Sequence, residues 1–291
     1  MRGSTDDPSR VDAAALRAWP LPPPGDSKYS RGDVLVVGGS RGAPGAAMLA
    51  GIAALRAGAG RLTIAVADSV AVAVAVAVPE SAVVGLPEDA DGHVRGDAVE
   101  RLGPALEAAD AVLIGPGLDD LAQTGLLLDG MAPAIGAGTA VCLDAFALGA
   151  LAKRPGWGGD LERLMLTPNK EEAAILLGHD IEGTLAAARE VASRYRATAA
   201  CYEFVSDSDG RAWRTRPGGA GLGTSGSGDV RAGIIAGLLA RGADGPQAAA
   251  WGSSLHALAG ERLGDRVGGL GYLAGELAGE VPAIMAGLEP D

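Results

Sequence analysis

A run of glycines ends in an acid at Gly218-Gly219-Ala220-Gly221-Leu222-Gly223-Thr224-Ser225-Gly226-Ser227-Gly228-Asp229, and an apolar helical stretch opens near Val230. Residues without a Cβ let the backbone turn its N–H groups toward one point. A helix starting there adds its own unpaired donors and the positive end of its dipole, so the segment is built to hold a phosphate. Gly226, Ser227 and Gly228 are the expected anion hole. Asp229, expected at the first helical position, could take a proton from a hydroxyl while the amides neutralise a transferring phosphoryl group. The plainer alternative is a glycine turn with Asp229 as a helix cap. Residues 221–226 also fit G-x-G-x-x-G, but no clear βαβ entry precedes them and no downstream ribose acid follows. A Walker A loop is excluded, because no Gly-Lys pair exists in the chain.

Three further clusters end apolar runs: Gly38-Gly39-Ser40-Arg41-Gly42, Ile114-Gly115-Pro116-Gly117-Leu118 and Leu143-Asp144-Ala145. Ligands of open α/β sheets bind at the carboxyl ends of strands, so three such turns on one edge favour a long ligand crossing the sheet. In Leu166-Thr167-Pro168-Asn169-Lys170-Glu171-Glu172, Asn169 and Glu172 stand three apart. Either both face a ligand from a first helical turn or they form a capping box. His93 and His179 fall in polar turns, and His256 reads as a hydrogen-bonded core residue. Cys142 and Cys201 read as buried free thiols. No His/Cys/carboxylate cluster has the spacing of a metal site and no G-x-S-x-G elbow occurs.

The elements that must position these residues alternate. Short apolar runs at 34–37, 61–66, 82–86, 111–114, 139–143 and 164–166 interleave with helical patterns at 43–56, 97–108, 121–131, 169 onward and 184–196. Residues 70–78 alternate Val and Ala, the period of a strand, yet Asp68-Ser69 offers a cap and Ala favours helix, so a helix is expected. Runs at 198–205 and 211–216, joined by Asp207-Ser208-Asp209-Gly210, predict a hairpin. Helices at 230–240, 246–262 and 272–285 close the chain. Residues 1–27 are polar and broken by prolines, an arm with one short helix at 11–19. Residues 28–291 are expected to form a single α/β domain around a mostly parallel sheet.

The chain has 291 residues, 48% hydrophobic and only 3% aromatic, so its core must be built from Ala, Val, Leu and Ile. Its net charge of −12 argues against a nucleic-acid surface or an anionic membrane face, both of which need clustered cations. No window approaches the ~18 apolar residues of a membrane helix and no signal peptide is visible, so a cytoplasmic protein is expected.

From about Lys28 to Met285 the chain resembles the ADP/ATP-dependent NAD(P)H-hydrate dehydratases of the ribokinase-like superfamily. The carriers are Val36-Val37-Gly38-Gly39-Ser40, Ala53-Ala54-Leu55-Arg56-Ala57-Gly58-Ala59-Gly60, Ile114-Gly115-Pro116-Gly117-Leu118, Leu143-Asp144-Ala145, Leu166-Thr167-Pro168, Gly226-Ser227-Gly228-Asp229 and Leu255-His256-Ala257-Leu258-Ala259-Gly260. The resemblance implies a ribokinase-like three-layer α/β/α fold. It also implies repair of (S)-NAD(P)H hydrate: ADP or ATP, with Mg2+, phosphorylates the ring hydroxyl, and phosphate then leaves. By that resemblance Asp229 is the base at the substrate hydroxyl. Ala46, Gly117, Asp144 and Asn169 line the substrate, Tyr202 and Glu203 flank the nucleotide, and Glu172 belongs to the metal or phosphate network. A homo-oligomer, with a tetramer favoured, and a separate epimerase as functional partner are implied as well.

Asn169 stands where the family usually carries a histidine, with Glu172 keeping the acid. Cys201-Tyr202-Glu203-Phe204 replaces a Lys-Gly near the nucleotide, leaving Lys170 or an arginine such as Arg231 to supply that charge. Asp144-Ala145-Phe146 replaces Asp-Ala-Asp. The Asn-x-x-Glu pattern leaves open a kinase of a sugar or hydroxymethyl-pyrimidine alcohol, and residues 70–78 a subunit interface or an ordinary buried helix.

Overall fold

Ten strands form one sheet in a computed structural model that describes residues 1–288; the last three residues of the expected domain lie outside the described ones. The strands are β1 (Ser9–Arg10), β2 (Asp33–Val37), β3 (Arg61–Ala67), β4 (Ala82–Leu86), β5 (Ala111–Ile114), β6 (Ala140–Leu143), β7 (Leu164–Leu166), β8 (Thr198–Cys201), β9 (Phe204–Ser206) and β10 (Ala212–Arg214). Their order across the sheet is β1-β10-β9-β8-β7-β6-β5-β2-β3-β4. All run parallel except β9, which is antiparallel to both its neighbours.

Eleven α-helices are described: α1 (Ala13–Arg17), α2 (Pro44–Arg56), α3 (Asp68–Ala77), α4 (Gly103–Ala108), α5 (Leu121–Met131), α6 (Phe146–Ala152), α7 (Lys170–Leu177), α8 (Thr184–Tyr195), α9 (Ser227–Ala240), α10 (Gly245–Val267) and α11 (Ala274–Leu288). Strand side chains alternate between faces, and each face carries its own core. Val34 and Val36, Leu62 and Ile64, and Leu113 and Cys142 pack with α2, α9, α10 and α11. Leu35 and Val37, Ala65, Val112 and Ile114, and Val141 and Leu143 pack with α5, α6, α7 and α8. The result is three layers, α/β/α, with strands buried on both faces, as near-continuous apolar runs require.

Small residues set the spacing in the first layer. A Cβ added at Gly233 would lie 2.1 Å from the Ala50 carbonyl oxygen, and one at Gly237 would lie 2.4 Å from that of Ala54. Helix α9 therefore lies directly against the backbone of α2, and its N-terminus is held at a fixed height over the sheet edge.

The helix over residues 70–78 forms as α3, but Asp68 and Ser69 lie inside it and the cap position is Ala67, without a side-chain bond. The expected helix at 97–108 divides into a 3-10 turn, Gly96–Arg101, and α4. Pro104, placed at the start of α4, suits a first turn whose N–H needs no partner. The run at 198–205 breaks at Tyr202, whose φ is +54°, so β8 and β9 form a hairpin of their own beside the one joined by Asp207–Gly210. Helix α6 has no counterpart in the expected elements. The first 27 residues are docked on this body. Strand β1 extends the sheet beside β10, Leu16 is buried, and Trp19 stacks on Trp213 with ring centroids 5.9 Å apart.

Candidate active site

Register brings the chemistry to one line. Val37 pairs with Ile114, Ile114 with Leu143, and Leu143 with Leu166, so four strands end abreast. The residues that follow, Gly38, Gly115, Asp144 and Thr167, stand in a row along the carboxyl edge. Main-chain bonds stitch the turns: Gly39 N–H donates to the Pro116 carbonyl at 2.8 Å, and Ser40 N–H to that of Gly117 at 2.8 Å. This approach requires glycine. A Cβ at Gly115, whose φ is +127°, would meet the Asp144 carbonyl oxygen at 1.8 Å, and one at Gly38 would meet that of Pro116 at 2.0 Å. Gly117 is half-buried at the same edge, and Ala46 lies in the first turn of α2.

Helix α9 begins at Ser227, three residues before the expected Val230, so Asp229 sits at its third position rather than its first. Gly226, with φ +87°, holds the cap position without a side-chain bond. Among the described residues the N–H groups of Gly228 and Asp229 have no protein acceptor. A Cβ at Gly228 would meet nothing within 4 Å. Gly228 lies in the wall of a cavity of about 550 Å³ lined also by Asn169, Tyr202, Glu203, Ser227, Arg231 and the 216–223 loop. Five of the expected site residues thus surround one cavity. Gly226, Asp229, Asp144, Glu172, Ala46 and Gly117 are not in its wall.

Three acids are electrostatically joined. Burial pushes the Asp144 carboxyl up to about 6, with the charge of Asp229 adding to it. Burial also raises Glu172 to about 6, reinforced by Asp144, and Asp229 to about 6, reinforced by Glu172. Thr167 opposes the shift at Asp144: its hydroxyl donates to Oδ1 at 2.6 Å. Arg231 opposes it at both Asp144 and Glu172, and its Nη2 donates to the Thr167 carbonyl at 3.0 Å.

Asn169 and Glu172 do form the capping box. Asn169 Oδ1 accepts from the Glu172 N–H at 2.9 Å, and Glu172 Oε2 from the Asn169 N–H at 2.8 Å. The Asn-x-x-Glu spacing is therefore accounted for by the start of α7, although Asn169 also borders the cavity. His256 is hydrogen-bonded, as expected, but its partner is informative: Nε2 lies 2.9 Å from Ser227 Oγ at the first position of α9. Burial lowers its pKa to about 3, so the ring is neutral. His93 pairs with Asp119 and His179 with Glu190. Both cysteines are buried and free. Thr167 and His256 were not singled out for the site from sequence, since only the three-dimensional contacts join them to Asp144 and Ser227.

The family model described as NAD(P)H-hydrate dehydratase matches residues 34–283. The chain belongs to that family. It is 46% identical to the ADP-dependent (S)-NAD(P)H-hydrate dehydratase of Xanthomonas campestris, over 94% of this chain and 95% of that protein. It is 37% identical to the bifunctional NAD(P)H-hydrate repair enzyme of Moorella thermoacetica, of which it spans only 50%. The ADP/ATP-dependent NAD(P)H-hydrate dehydratase of Bacillus subtilis, crystallised with ATP and Mg2+, superposes with a TM-score of 0.80 at 26% identity, covering 97% of this chain and 99% of that one. The fold is ribokinase-like, and membership of the dehydratase family favours that reading over the small-alcohol kinase.

Proposed function

We propose that this chain returns (S)-NAD(P)H hydrate to NAD(P)H at the expense of ADP or ATP. The observation that carries the reading is the pairing of an uncapped helix start, with free N–H donors beside a nucleotide-sized cavity, and a carboxylate on the same helical turn. Gly226, Ser227 and Gly228 form the anion hole, while Tyr202 and Glu203 flank the nucleotide. The hydrated dinucleotide lies along the carboxyl edge against Ala46, Gly117, Asp144 and Asn169.

Asp229 accepts the proton of the ring hydroxyl as its oxygen bonds to the transferred phosphorus. The bond to the nucleotide's bridging oxygen breaks, and the donor leaves as the shorter nucleotide. With its carboxyl at about 6, Asp229 is ionised at neutral pH yet basic enough to take part in proton transfer. In the second step the enamine nitrogen of the ring pushes electrons toward the ring carbon that bears the new phosphate ester. Phosphate departs, and loss of the ring proton restores the dihydropyridine. Phosphate leaves far more readily than hydroxide, so the protein's task is to hold two anionic ligands in register.

Hard carboxylate oxygens suit Mg2+, which keeps several waters and binds through one or two acids plus phosphates. Glu172, with Asp144 or Asp229, is the pair that would hold it, and when bound it supplies positive charge to the phosphates. The reading also takes residues 28–291 as the catalytic domain, a cytoplasmic setting, a separate epimerase acting on the other epimer, and a homo-oligomer with a tetramer favoured. Val72 and Val76 on α3, 78% and 76% exposed, support a subunit contact.

The test is to mix purified protein with (S)-NADH hydrate, Mg2+ and either ADP or ATP, and to follow the return of reduced-nicotinamide absorbance. Absence of recovery with both nucleotides would overturn the proposal.

A further inference from the structure

The proposed reaction gathers two polyanions over three acids, in a chain of net charge −12 with only three lysines. A cation of the protein facing the phosphates would add to the charge that Mg2+ and the amide donors supply. Lys28 and Lys153 are not in the wall of the cavity, nor is Lys170, which is exposed in the first turn of α7 with its Nζ 5.5 Å from the centroid of the Tyr202 ring. Two arginines are in the wall, Arg216 and Arg231. Arg216 is paired with Glu261 and its side chain is 53% exposed, which places it at the rim.

Arg231 differs in each respect. It projects from α9 one half-turn beyond Asp229, and its Nη2 is anchored on the Thr167 carbonyl. Its Nε is buried and has no hydrogen-bond partner. A guanidinium carries five N–H donors in a planar fork, and its Nη1, which makes no hydrogen bond among the described residues and is not buried as Nε is, remains open to an acceptor. The charges it meets, Asp144 and Glu172, belong to the reacting end of the site rather than to the adenine end. Thr167 connects the two, accepting from Arg231 with its carbonyl and donating to Asp144 with its hydroxyl.

Resting on the functional reading above, we infer that Arg231 binds the nucleotide phosphates beyond the first, the β-phosphate of ADP and the β- and γ-phosphates of ATP. Arg231 thereby discriminates di- and triphosphates from AMP.

Calorimetric titration of the full-length protein with ADP and with AMP, in Mg2+, tests this without turnover. The wild type is expected to bind ADP more tightly than AMP. Arg231→Met, of similar length and apolar, should lose about ten- to hundredfold in ADP affinity, the range of a charge-assisted bond, and leave AMP within about threefold. Arg231→Lys should fall between, because it keeps the charge without the fork. Equal losses for ADP and AMP, or none for ADP, would overturn the assignment. If Arg231→Met does not fold by circular dichroism, the ADP-to-AMP ratio of Arg231→Lys decides: an unchanged ratio overturns the assignment and a reduced one supports it. A wild type that binds neither nucleotide would overturn the functional reading itself and this inference with it.

Discussion

Replacing Asp229 by asparagine should stabilise the protein while stopping it. The Asp229 carboxyl rises from 3.8 to about 6 on folding because it is buried, beside Glu172. The folded chain therefore holds that proton more tightly than the unfolded one. Between about pH 4 and pH 6 the stability falls as pH rises, and above pH 6 it levels off at the cost of a buried carboxylate. A shift of about two units corresponds to a ceiling of ~3 kcal/mol. Asp229 keeps some solvent contact, so about 1–2 kcal/mol is expected for Asp229→Asn at pH 8. In a domain of this size that is a rise in Tm of roughly 2–6 °C. Paired thermal melts at pH 8 and pH 4 read the effect, and the gain should shrink at the lower pH, where the wild-type carboxyl is already protonated in the fold. Turnover should fall by about 10²–10⁴ through loss of the base, with ADP affinity kept. A variant less stable at pH 8, or a gain independent of pH, would refute the electrostatic account. Undiminished turnover would remove Asp229 from the chemistry.

The same carboxyl sets a pH dependence: kcat/KM for the dehydration should drop below about pH 6 as Asp229 takes a proton, and a profile flat to pH 5 would exclude it as the base. Thr167→Val removes the 2.6 Å bond to Asp144 and should raise that carboxyl further, at about 1–3 kcal/mol of stability at pH 8. Urea titrations at pH 8 and pH 5 should show the loss shrinking at the lower pH as Asp144 becomes neutral. Gly233→Ala, which adds a methyl 2.1 Å from the Ala50 carbonyl oxygen, should cost about 1–3 kcal/mol in urea despite alanine's better helix propensity. An unchanged midpoint would show that α2 and α9 can separate freely.

Much of the fold was legible because the apolar runs are short, buried on both faces and bounded by glycine, so the 111–114 run and the 121–131 helix emerge at or near their expected bounds. What escaped did so for specific reasons. Tyr202 adopts a left-handed φ that no residue type there announces, and so divides one expected strand into two. Phe146–Ala152 is too short to show a helical period and is held by burial against the layer containing α5 and α7. Helix α9 begins three residues early because its cap is Gly226 rather than a polar side chain, which leaves its first N–H groups open.

The order of residues along the chain was enough to decide that Asp229 follows a glycine-rich turn, that Gly115 and Asp144 follow strand-like apolar runs, and that no Gly-Lys pair exists for a Walker A loop. These are properties of neighbours in sequence, governed by local backbone conformation and side-chain chemistry. Only the tertiary structure decided that Ile114, Leu143 and Leu166 end abreast, that Thr167 supports Asp144, that His256 reaches Ser227, and that Arg231 rather than Lys170 faces the cavity. Those contacts join residues 23 to 64 positions apart, and strand register and the close seating of α9 on α2 bring them together, which no local pattern encodes.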